Sequence, residues 1–271
     1  MVDGFEFKEN YSFNDLIKIV EILRSPNGCP WDREQTHKSI RANFIEETYE
    51  AIEAIDTEDT ELLREELGDV LLQVALHTEM EREKGTFNII DVTDGICKKL
   101  IVRHPHVFGD VKAESSEEVL KNWDAIKKRV KGQNSHTETL KSVPSVLPAL
   151  MRSLKVQQRA SRAGFDWPDS SGAVAKVHEE LAELEQAMAQ NNKAETKSEL
   201  GDLLFSVVNL ARFIGAEPEE SLTDSCNKFI RRFALCEEYA NKSGQNLAEM
   251  SVEELEGLWV KAKAALQFKP E

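Results

Sequence analysis

The feature that most limits what this chain can become is a repeat of acids. Glu46, Glu47, Glu50, Glu66 and Asp69 each stand 133 positions before Glu179, Glu180, Glu183, Glu199 and Asp202. Two stretches carrying five acids in one register imply an internal duplication, so one supersecondary unit occurs twice. Other landmarks repeat with small insertions or deletions. Lys99 and Arg103 of KKLIVR answer Lys228 and Arg232 of NKFIRR, and Trp123 with Lys127 answers Trp259 with Lys263. A tryptophan-bearing loop, CPWD or GFDW, precedes the acids in each half.

Helical periodicity surrounds the acids. Phe13, Leu16, Ile17, Val20 and Leu23 make one apolar stripe. Leu63, Leu67, Val70, Leu71 and Val74 make a second, and Val174, Val177, Leu181, Leu184 and Met188 a third. Each has the three- and four-residue spacing of a helix face. No run alternates as a half-buried strand would. Gly and Pro gather between these segments, in SPNGCPWD, RHPHVFGD and AGFDWPDSSG, where they punctuate helices. The expected fold is all-α: two tandem helical bundles over residues 1–131 and 146–271, joined by a polar, proline-bearing linker over 132–145.

At 271 residues the chain is long enough for two domains with real cores. Its formal net charge of -15 argues against nonspecific binding to nucleic acid or an anionic membrane, since both repel it at long range. A small phosphorylated ligand that arrives with its own cations remains compatible. No apolar run approaches the ~18 residues of a membrane span, and MVDGFEFKENYSF has neither the basic start nor the apolar centre of a secretory signal. Cys29, Cys97, Cys226 and Cys236 lack paired spacing and read as reduced thiols of a cytoplasmic protein.

Glu47 and Glu50 are three apart, as are Glu66 and Asp69, so on a helix each pair shares a face. The midpoint between Glu50 and Glu66 is Glu58, in the turn-like DTEDT; the midpoint between Glu183 and Glu199 is Asn191, in QNNKAE. Helical hairpins folded at those points bring four carboxylates together in each half. Hard oxygen ligands so arranged suit Mg²⁺ or Mn²⁺; without a cation they repel or take up protons. A single E-E-x-x-E is ordinarily a solvated face. Here, however, the ExxD pair lies inside an apolar helix, and the whole arrangement is repeated.

EExxE, fifteen residues, then ExxD, preceded by GCPWDREQTH and accompanied by RHPHVFGD and a final W-x-x-x-K, resembles the MazG family over nearly the whole chain. That family belongs to the all-α nucleoside triphosphate pyrophosphohydrolases. The resemblance implies Mg²⁺-dependent hydrolysis of NTPs or dNTPs to (d)NMP and pyrophosphate, with Mn²⁺ as a substitute, for nucleotide-pool control or house-cleaning. It also implies a homodimer of helical bundles. It assigns metal ligation to Glu180, Glu183, Glu199 and Asp202 in the second half and to Glu47, Glu50, Glu66 and Asp69 in the first. Glu46 and Glu179 are left to orient the attacking water or bind a further ion.

Lys176, Lys197, Lys228, Arg231, Arg232 and Lys263 are candidates for phosphate oxygens, although KFIRR alone also reads as an exposed basic face. Trp259 is a candidate for base stacking, against the ordinary reading of a packed indole. His104 and His106 read as a structural loop, because no third metal ligand accompanies them. His178 is replaced by Ile45 in the first half and reads as a local feature; no GxxxxGK[ST] phosphate loop is present. The halves differ along the ExxD helix. Glu195, Ser206 and Asn209 extend the acidic face in the second half, where the first has Leu62, Gln73 and Leu76. Asn209 bonds either a nucleotide or a neighbouring helix. The second half is therefore expected to be the principal catalyst, with all five of its acids in the catalytic set. The competing class is a nonenzymatic helical interaction module whose acids bind metal structurally; release of pyrophosphate from an NTP separates the two.

Overall fold

The computed structural model describes residues 5–112 and 135–267, with 115, 118, 119, 122, 123 and 126 between them. Lys127 and residues 132–134 at the start of the expected linker lie outside the described residues. The chain divides into two compact units, Met1–Lys127 and Lys128–Glu271. Among the described residues all regular structure is helical.

The first unit contains α1 (Phe13–Arg24), α2 (Pro30–Glu34), α3 (Arg41–Asp56), α4 (Thr60–Lys84), α5 (Ile89–Arg103) and α6 (Pro105–Phe108). Ser12 opens α1 through a capping box with Asp15, which satisfies backbone N–H groups at the helix start. The α1 stripe lies on α4. Val20, Ile40, Ala75, Leu76 and Met80 form a buried cluster, against which Leu16, Ile17 and Leu72 pack.

The second unit contains α7 (His136–Lys141), α8 (Ala149–Ser161), α9 (Ser170–Ala189), α10 (Lys193–Ile214), α11 (Pro218–Lys242), a 3-10 turn (Leu247–Glu249) and α12 (Val252–Gln267). Helix α7 lies within the stretch read as a linker. It is tied to α8 by Arg159, which donates to the Thr139 carbonyl at 2.5 Å and to Ser142 Oγ at 2.7 Å.

The two hairpins, α3–α4 and α9–α10, turn at the midpoints anticipated from the acids. Glu58 has φ 54° and Asn191 has φ 55°, the left-handed conformation that reverses the chain between helices. The next residue caps the second helix in each case. Asp59 accepts from the backbone N–H of Glu61 and Leu62, and Asn192 from that of Glu195. Both long helices then end at a left-handed glycine, Gly85 (φ 71°) and Gly215 (φ 72°). The duplication thus extends from the acids to the turn, the cap and the stop.

The other apolar stripes are only partly covered. Leu67 and Leu71 on α4, and Val174, Leu181 and Met188 on α9, are exposed. An amphipathic face left open along a hairpin is a surface suited to contact with another chain.

Candidate metal centres

Each hairpin brings three carboxylates to one place. Glu47, Glu66 and Asp69 offer oxygens that all lie within 4.8 Å of one another, and Glu180, Glu199 and Asp202 do the same. The helical spacing explains the geometry. Glu66 and Asp69 lie one turn apart on α4, Glu199 and Asp202 on α10, and the reversals at Glu58 and Asn191 bring Glu47 and Glu180 alongside. Glu50 belongs electrostatically to the first cluster, since it hydrogen-bonds Glu47 and repels Glu66. Glu183 likewise acts on Glu199.

The electrostatics are those of a site built for positive charge. Burial, then Asp69 and Glu50, push Glu47 above the ordinary carboxylate range. Burial, then Glu50 and Asp69, do the same to Glu66, and burial, then Glu183 and Asp202, to Glu199. Glu66 is 9% exposed and Glu180 6%. Carboxylates crowded and desolvated in this way favour protonation or a divalent cation, and the all-oxygen donor sets fit Mg²⁺ or Mn²⁺.

The remaining candidates fall into three groups. Lys176 is joined to the second cluster, with Nζ 2.6 Å from Glu180 Oε1 and 2.9 Å from Glu179 Oε1. Arg232 and Trp259 meet, the guanidinium carbon lying 5.8 Å from the ring centroid, and Phe229 packs on the same indole at 5.1 Å. Their first-half counterparts meet too, Arg103 lying 5.1 Å over Trp123. The Nε of both arginines is buried without a hydrogen-bond partner among the described residues. Lys197, Lys228, Arg231 and Lys263 are exposed on α10, α11 and α12, and none makes an ion pair among the described residues. Glu46 is exposed on α3. His104 stacks edge-on against Trp123 and lies beside His106.

Along α10, Ser206 Oγ donates to the Asp202 carbonyl at 2.8 Å. Asn209 Oδ1 accepts from Arg212 Nε at 2.9 Å. The rest of the Arg212 guanidinium forms a two-pronged pair with Asp166 at 2.9 and 2.5 Å. Asp166 lies in the GFDW loop, whose Trp167 ring sits so close to Gly172 that a Cβ there would collide with it. This clamp escaped the sequence reading because Asp166 and Arg212 are 46 residues apart with no local motif linking them.

The first half has a polar continuation of its own. His37 Nδ1 lies 2.7 Å from His77 Nδ1, and His37 Nε2 lies 2.6 Å from Glu81. Lys84, Thr86 and His37 hold Glu81 down to about 2. Gln73, between the acids and His77 on α4, is buried, and its Oε1 has no hydrogen-bond partner among the described residues. A readable signal existed: Glu66, Asp69, Gln73, His77 and Glu81 follow three- and four-residue steps along one helix.

Comparison with known proteins agrees with this architecture. Residues 35–108 and 170–235 match the MazG nucleotide pyrophosphohydrolase domain, one segment containing each hairpin's acids. The chain is 45% identical over 251 residues to the nucleoside triphosphate pyrophosphohydrolase/pyrophosphatase MazG of Thermotoga maritima, covering 93% of this chain and 95% of that one. It is 43% identical over 251 residues to the nucleoside triphosphate pyrophosphohydrolase of Escherichia coli, covering 92% and 95%. It is 48% identical over 254 residues to YabN of Bacillus subtilis, covering 93% of this chain and 52% of that protein. With two matched domains and full-length relatives at this identity, the chain belongs to the MazG family.

Proposed function

We infer that this chain is a nucleoside triphosphate pyrophosphohydrolase that uses Mg²⁺, or Mn²⁺ in its place, with the second hairpin as the principal catalytic centre. The observation that carries the reading is the converged triad Glu180, Glu199 and Asp202, in a chain whose full-length relatives bear that enzymatic name. Glu183 completes the proposed ligand set there; Glu47, Glu50, Glu66 and Asp69 form the corresponding set in the first half. Divalent cations at such a site neutralise triphosphate oxygens and ease loss of a proton from bound water.

The chain's own residues then have distinct tasks. Lys228, Arg231 and Arg232, with Lys197 and Lys263, hold phosphate oxygens. Trp259 and Asn209 serve the nucleoside. Glu179, exposed beside the triad, orients the water and takes its proton. Water oxygen bonds to the α-phosphorus, the bond from that phosphorus to the bridging oxygen breaks, and pyrophosphate departs. Exposed apolar residues on α3, α4, α9 and α10 support a homodimer. No described helix is long and apolar enough to cross a membrane, and four free cysteines suit the reducing cytoplasm. The net charge of -15 opposes nucleic-acid binding.

The test is incubation of the pure protein with MgCl₂ and each NTP or dNTP, followed by product chromatography. NMP and pyrophosphate are expected; NDP as the first product would overturn the reading.

A further inference from the structure

The two carboxylate clusters differ in one respect that bears on how each is filled. In the second half Lys176 bridges Glu179 and Glu180 at 2.9 and 2.6 Å, one helical turn before both on α9. Its Nζ therefore sits on an oxygen of the very carboxylate that joins Glu199 and Asp202. Glu180 is 6% exposed, and a carboxylate so buried needs a partner; Lys176 supplies it. In the first half the position 133 residues earlier is Asn43, which carries no charge. Among the described residues no lysine or arginine pairs with Glu47, Glu50, Glu66 or Asp69.

We propose that Lys176 is a built-in stand-in cation: it occupies the second centre when metal is absent, yields Glu180 when metal enters, and passes to the phosphates of the incoming triphosphate. The inference rests on the reading of these clusters as metal centres and adds an order of events. At the first centre no ammonium among the described residues has to be displaced, so metal loads there without nucleotide. At the second it must displace an ammonium from a buried carboxylate. That displacement is unfavourable until the ammonium gains a new anionic partner, so metal and nucleotide bind the second centre cooperatively. The lysine is suited to the exchange. Its side chain is about one-third exposed, and its flexible stem permits the ammonium to leave one oxygen and meet another without moving α9.

Mn²⁺ binding to the metal-free full-length protein, read by electron paramagnetic resonance, tests this without turnover. Asp202→Ala isolates the first centre and Asp69→Ala the second. Without nucleotide, the first centre is expected to bind Mn²⁺ more tightly. In the Asp69→Ala background, Lys176→Asn, which copies Asn43, should tighten Mn²⁺ binding about tenfold, the scale of one charge-assisted hydrogen bond. Lys176→Arg should keep the weak affinity. Lys193→Asn removes the same charge from the same hairpin without touching an acid pair, and should change nothing. An α,β-methylene triphosphate analogue should strengthen Mn²⁺ binding with Lys176 present and do so far less in Lys176→Asn. Unchanged affinity in Lys176→Asn, or an equal gain from Lys193→Asn, overturns the proposal. Absence of Mn²⁺ binding at both centres overturns the metal-centre reading and this inference with it. Failure to hydrolyse NTPs, with the Lys176 effect intact, removes only the enzymatic reading.

Discussion

The two hairpins share a register of acids, a turn and a cap, yet they surround those acids differently. In α9–α10 the carboxylates meet Lys176, and the polar face runs on through Ser206 to Asn209, Arg212 and Asp166. In α3–α4 the corresponding face leads to buried Gln73, whose Oε1 has no partner among the described residues, and then to the His37–His77–Glu81 chain. Leu76, which occupies the place of Asn209, is buried in the core with Val20 and Met80. Duplication preserved the geometry of the carboxylates, because it depends on residues within one hairpin. The surroundings were free to diverge, because they depend on what each hairpin packs against.

The two hairpins are separated most clearly by disabling one cluster at a time. Excess EDTA should abolish hydrolysis, and Mg²⁺ or Mn²⁺ should restore it. Ca²⁺ should restore less, since its larger and looser coordination positions water poorly. Asp202→Ala should lower turnover by at least about 10–100-fold, the scale for losing even an outer partner of a metal site, whereas Asp69→Ala should leave most of it. Equal partial losses would show two working centres. Near-complete loss from Asp69→Ala, with helical circular dichroism intact, would show that the first half is the catalyst.

A smaller effect is expected from the residues beyond the acids. Asn209→Leu copies Leu76 and should raise KM about three- to tenfold without altering metal dependence, if Asn209 touches the nucleotide. Asp166→Asn is the companion, since it weakens the Arg212 clamp while leaving Asn209 in place. An equal rise in KM from both variants would move the role from Asn209 to the GFDW loop that Arg212 holds.

Glu66→Gln probes the first cluster without substrate. Burial, then Glu50 and Asp69, raise the Glu66 value above 4.5. The folded protein therefore holds this proton more tightly than the unfolded chain does. The resulting stability is fully present below the ordinary value and is lost as pH rises through the raised one. Metal-free wild type should melt below Glu66→Gln at neutral pH and converge with it near pH 4.5. Mg²⁺ should stabilise wild type more than the variant, because it binds the folded cluster. A melting difference that does not vary with pH would remove the repulsion argument.

The smallest effect concerns the turns. Glu58 and Asn191 share a left-handed conformation, but asparagine tolerates it better than glutamate. Glu58→Gly should stabilise the protein by up to about 1 kcal/mol and Asn191→Gly by less, as read by urea unfolding. The reverse order would mean that the Glu58 side chain contributes contacts that outweigh its backbone strain.

Where sequence sufficed, the determining interactions were local. Apolar spacing marks α1, α4 and α9; the interval of 133 finds the duplication; and the midpoints between the acids find Glu58 and Asn191, because a hairpin of equal arms must turn at its centre. The helix within the expected linker was less legible, since α7 is a single helix of 6 residues held by Arg159 from α8. The tertiary structure alone decided which polar groups meet across helices. Asp166 with Arg212 and His37 with His77 are pairs far apart in the chain, and no periodicity connects them. It also decided that Lys176, a phosphate candidate by residue type, rests on Glu179 and Glu180. Helical spacing made that pairing available, but only the burial of Glu180 by the folded hairpin makes the half-buried lysine its partner in place of water.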